Sequence, residues 1–65
     1  MFVQIGKSAF NPDQVTDVYF GEDGTIVCLT GQNGDEQNYI TFRDEDCEAF
    51  LQWWENEAEV YKAVV

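Results

Sequence analysis

The side chains able to do chemistry in this 65-residue chain are carboxylates, two thiols and a set of aromatic rings, with 13 Asp and Glu against 3 Lys and Arg, no His and a formal charge of -10. Acid-base catalysis near neutral pH lacks its usual carrier without His, and there is no Gly-x-Ser-x-Gly turn or phosphate-binding Gly-rich loop with its Lys. Paired carboxylates such as Asp44 and Asp46 could share acid and base roles only in a pocket that separates their pKa values, and a domain with one thin core leaves little room for it. Their spacing fits the first turn of a helix better. An enzyme is therefore not expected.

Metal chemistry fares no better. Asp44-x-Asp46-x-Glu48 gathers three hard oxygen ligands, but Ala49 stands where an EF-hand loop needs its sixth-position Gly. Zinc favours Cys and His at short spacing, whereas Cys28 and Cys47 are nineteen residues apart. We expect two plain thiols and no metal or cofactor. Two cysteines also fall short of the disulfide framework of small secreted domains, which points to a reducing cytoplasm.

What remains is surface. With 45% hydrophobic residues and ten aromatics, the chain has the apolar content that disordered acidic tails lack, so it reads as one folded acidic domain spanning 1–65. At this length only ~60% of the surface exposed by the unfolded chain is buried, and the acids repel one another; stability should be thin and should rise as salt screens the charge. Lys7, Arg43 and Lys62 are too few and too scattered to grip phosphates or an anionic membrane. Apolar runs of three or four residues are far short of the ~20 of a membrane span, and Met1 to Phe10 does not read as a signal peptide.

These residues need a scaffold, and the pattern predicts α+β: a small antiparallel sheet of three to four strands built from consecutive hairpins, with one C-terminal helix packed on one face. Strands are expected at about 2–5, 15–20, 25–30 and 37–42, with Asn11-Pro12-Asp13 a turn and Gly6 interrupting the first strand. Asp23-Gly24 and Asn33-Gly34 are hairpin signals. A two-residue turn at Asn33-Gly34 sets Val27 opposite Ile40 and Thr25 opposite Phe42. Either a two- or a four-residue first loop keeps Val18 and Phe20 on that same face, because register shifts by two. Asp44 is expected as N-cap of a helix over about 45–57, whose Cys47, Phe50, Leu51, Trp54 and Ala58 form an apolar stripe. Residues 60–65 fit either a helix end or a short final strand.

Two surfaces then stand out. Glu45, Glu48, Gln52, Glu55 and Glu59 fall at spacings of three and four on a helix face about 130° from the apolar stripe, without the interleaved Lys of an ordinary solvated helix. On the far side of the sheet, Tyr19, Ile26, Cys28 and Tyr39 accompany Asp17 and Thr41, where a face meant only for water would be polar. Trp53 lies about 100° off the stripe centre and so at the core edge or half exposed. Partner binding through Tyr19, Tyr39, Trp53, Glu45, Glu48, Glu55 and Glu59 is the expectation: a small accessory or regulatory module for a protein with a basic surface. The far face is open to three occupants: another part of the chain, a second copy in a homodimer, or a different protein. The alternative is a nucleic-acid mimic, with carboxylates standing in for phosphates against a DNA-binding protein.

Overall fold

The computed structural model describes residues 1–30 and 37–63. Five strands precede one helix: β1 (Val3–Ile5), β2 (Ser8–Phe10), a 3-10 turn at Pro12–Gln14, β3 (Val15–Phe20), β4 (Thr25–Thr30), β5 (Gln37–Phe42) and α1 (Asp44–Asn56). The class is α+β. The strands form two antiparallel sheets instead of one, β1-β2 and β3-β4-β5.

β2 is the element missing from the sequence expectation. Gly6 does not merely interrupt a strand. With Lys7 it makes a two-residue turn that sets Ile5 opposite Ser8 and Val3 opposite Phe10. Gly6 has φ 61°, which a side chain would strain, and a Cβ there would lie 2.7 Å from the Asp46 carboxylate. The missing side chain thus lets the hairpin approach the first turn of α1.

In the three-stranded sheet, β4 and β5 pair as the residues dictate, Val27 opposite Ile40 and Thr25 opposite Phe42. The Asn33-Gly34 turn between them lies outside the described residues. Between β3 and β4 the loop is the four-residue form: Phe20 pairs with Thr25, Val18 with Val27, and the Gly21 N–H donates to the Gly24 carbonyl at 2.9 Å. A bulge between Val15 and Asp17 shifts the register. Val15 consequently joins Val18 in packing against the core.

Helix α1 starts differently from the expectation. Arg43 is the N-cap, without a side-chain cap bond, and Asp44 is the first helical residue with φ 53°, a left-handed conformation that Asp tolerates better than most residues. The chain turns sharply there, and the amides of Asp46 and Cys47 both reach the Arg43 carbonyl. Asp44, Glu45 and Asp46 still place negative charge at the positive end of the helix dipole. Past Asn56 the helix stops, and residues 57–63 form neither helix nor strand.

The core is Ile5, Phe10, Val27, Phe42 and Phe50, closed by a buried Thr25. Phe50 occupies its centre, stacked on Phe42 at 5.3 Å between centroids and packed against Phe10, Trp53 and Trp54. The Thr25 hydroxyl sits 3.3 Å from Cys47 Sγ, which gives the one buried polar side chain of the core a partner. Both cysteines are free.

Candidate protein-interaction surfaces

The residues expected to contact a partner do not form one surface. Tyr19 and Tyr39 stand on the outer face of the β3-β4-β5 sheet. Glu45, Glu48 and Glu55 lie on α1, which packs on the inner face. Trp53 is also on α1 but turns toward the core, and Glu59 lies in the tail beyond the helix.

On the outer face, cross-strand pairing brings Asp17 opposite Cys28, Tyr19 opposite Ile26, Ile26 opposite Thr41 and Cys28 opposite Tyr39. Paired residues share a face, so these side chains form one continuous patch. Tyr19 is 59% exposed, Tyr39 70% and Ile26 40%. The N-terminal hairpin does not cover them: its Ile5 and Phe10 belong to the inner-face core. Nor does the tail through Ala63, where Val60 and Lys62 flank Phe20, Leu51 and Trp54. Of the candidate covers within the chain, the described parts of both therefore sit on the other side.

Along α1, Glu45, Glu48, Gln52 and Glu55 are all exposed and share the expected face. Glu59 is not part of it, because the helix has ended three residues earlier. Lys62 folds back to Glu55 with Nζ–Oε2 at 2.6 Å. Both side chains are more than half exposed, and such a pair contributes no more than ~1 kcal/mol. Counted from Asp44, Glu55 stands at the twelfth position of an EF-hand-like pattern, but Asp44 and Glu55 are separated by continuous helix instead of by a loop that could wrap a cation.

Trp53 is half-buried and meets the edge of Phe10 at 5.6 Å with the rings 87° apart. The helix presents Cys47, Phe50, Trp53 and Trp54 to the core, while Leu51, expected within the stripe, is exposed. The cause is β2: Phe10 extends the core past the three-stranded sheet and gives Trp53 something to pack on. Trp53 thus sits at the core edge, as its angle from the stripe predicts, and its partner Phe10 is the core residue that the pattern did not reveal. Ser8-Ala9-Phe10 is too short for an alternation that could show this.

A groove of about 790 Å³ opens beside Trp53. Its walls come from the chain start (Phe2, Val3), from α1 (Trp53, Trp54) and from the tail (Ala58, Val60), and its floor reaches the core at Val27 and Phe50. Among the described residues its charged lining groups are the carboxylates of Asp13, Glu57 and Glu59 and the α-ammonium of Met1. No helix among the described residues is long and apolar enough to cross a membrane. Searches against protein-family models, curated proteins and solved structures give no match.

Proposed function

We propose that the protein is a small acidic interaction module, an accessory or regulatory subunit acting in the cytoplasm, which binds a protein partner through the outer face of the β3-β4-β5 sheet. The observation that carries this reading is the cross-strand patch of Tyr19, Ile26, Cys28 and Tyr39 on a face that no described part of the chain covers. Tyr is enriched at interfaces because its ring buries apolar area while its hydroxyl keeps a hydrogen bond, and contiguous exposed apolar surface usually signals contact. The acidic face of α1 lies on the opposite side of the molecule. Its role in this reading is long-range: with -10 overall, it raises the rate of encounter with a basic partner.

A second copy is the competing occupant of the patch, opposed by the repulsion of two chains of charge -10. A monomer mass in light scattering at ~100 μM, well above the Kd of a specific dimer, would argue against it.

Affinity capture from the source cells tests the reading, using wild type and the double variant Tyr19→Ser/Tyr39→Ser. A protein held by wild type, lost by the double variant and retained between ~50 and 200 mM salt supports an aromatic contact. A DNA-binding protein held equally by both chains and released steeply by salt favours the nucleic-acid mimic instead. Retention of nothing overturns both.

A further inference from the structure

We propose that the groove beside Trp53 is a second docking site, which takes an amphipathic basic segment of a partner protein, its apolar side chains seated between the chain start, α1 and the tail and its Lys or Arg facing Asp13, Glu57 and Glu59. This goes beyond the outer-face reading, because the groove lies on the helix side of the sheet. At about 790 Å³ it falls in the ~300–1,000 Å³ range of clefts that hold ligands. Apolar walls from the chain start, α1 and the tail suit the helix-in-groove mode, where a few apolar anchors supply affinity.

Charge selects the occupant. All three ionisable side chains lining the groove are carboxylates. Of the three basic side chains in the chain, Lys7 lies in the β1-β2 turn, Arg43 is at the N-cap of α1 and Lys62 is paired with Glu55, so against the three carboxylates the groove holds only the Met1 α-ammonium among the described residues, and its lining keeps a net negative charge. An acidic segment, including one from a second copy of this chain, would bring like charges together at the rim; a basic one gains at each carboxylate. Two indole rings in the wall, Trp53 and Trp54, also offer faces on which a Lys or Arg stem can lie. Phe2 in the wall is 74% exposed and offers a further apolar ring to a bound segment.

The probe is a synthetic peptide of about a dozen residues with Leu at helical i, i+4 and i+7 spacing and Lys elsewhere. Its controls are the same peptide with Glu for Lys and a Lys peptide without Leu. Amide shifts in the heteronuclear NMR spectrum should be confined to Met1–Val3, Trp53, Trp54 and Glu57–Val60, with a change in Trp emission. Ala58→Phe, which fills the groove, and Glu57→Lys/Glu59→Lys, which reverses the rim in the exposed tail, should each weaken binding at least about tenfold, with Ile26→Thr on the outer face leaving it unchanged. Equal binding of the Leu-free Lys peptide, shifts spread along Glu45–Gln52, or full affinity in both groove variants overturns the proposal. None of these outcomes bears on Tyr19 and Tyr39, so the two sites fail or survive separately.

Discussion

The β3-β4-β5 sheet has an inner face rich in aliphatic residues and an outer face where Tyr19, Ile26, Cys28 and Tyr39 stand beside Asp17 and Thr41, and the two meet opposite fates. Val27 and Ile26 are neighbours in sequence, yet Val27 is fully buried against α1 and Ile26 is 40% exposed. On the inner face Phe42 and Val27 meet Phe50; on the outer face Tyr19 and Tyr39 meet no described residue that covers them. The same strand pattern thus supplies a core where a helix and a hairpin supply the second layer, and an exposed face where no described residue does. Period two makes the comparison sharp, since adjacent residues test opposite faces with the same backbone.

The largest expected effect is on the inner face. At ~0.05–0.15 kcal/mol per residue a 65-residue domain has about 3 to 10 kcal/mol of stability, and Phe50→Ala should remove roughly 3–5 of it. Thermal or urea unfolding followed by circular dichroism should show that variant largely unfolded near room temperature; a cooperative transition close to wild type would place the centre of the core elsewhere. Gly24→Ala comes next. A Cβ there would sit 2.6 Å from the Phe42 carbonyl oxygen, backbone that cannot step aside, so a cost of about 1–3 kcal/mol is expected and the urea midpoint should fall accordingly.

The paired substitutions Val27→Thr and Ile26→Thr divide the faces directly. The first buries a hydroxyl in an apolar core and should cost about 1–3 kcal/mol, whereas the second should stay within ~0.5 kcal/mol. Equal costs would mean that the outer face is packed. Smallest is the effect of salt: with -10 formal charge, adding ~0.5 M NaCl should raise the melting temperature by a few degrees, and a fall would show that attraction outweighs repulsion in the folded chain.

The residue pattern made the three-stranded sheet legible and the N-terminal hairpin illegible, for the same physical reason. Val18, Val27, Ile40 and Phe42 alternate over strands of six residues with turn residues between them, enough periods to fix register. Ser8-Ala9-Phe10 is three residues long, with weak strand formers in two of them and a Gly-Lys turn in front, so local pattern could not distinguish a strand from the loop leading to Pro12. That omission propagated. Without Phe10 in the core, the apolar face of α1 appears centred nearer Leu51, which is exposed, and the packing partner of Trp53 at the core edge goes unseen. The groove was illegible altogether, since it is assembled from the chain start, the helix end and the tail. By contrast, the outer patch at Tyr19, Ile26, Cys28 and Tyr39 follows from alternation alone once the inner face is set.

The double variant Tyr19→Ser/Tyr39→Ser addresses the division of faces most directly when stability and binding are measured on the same preparation. The account predicts a dispersed NMR spectrum and an unfolding midpoint close to wild type, together with loss of the captured partner by at least about tenfold in affinity. A folded variant that holds the partner as tightly as wild type, or a variant whose stability collapses, would contradict it.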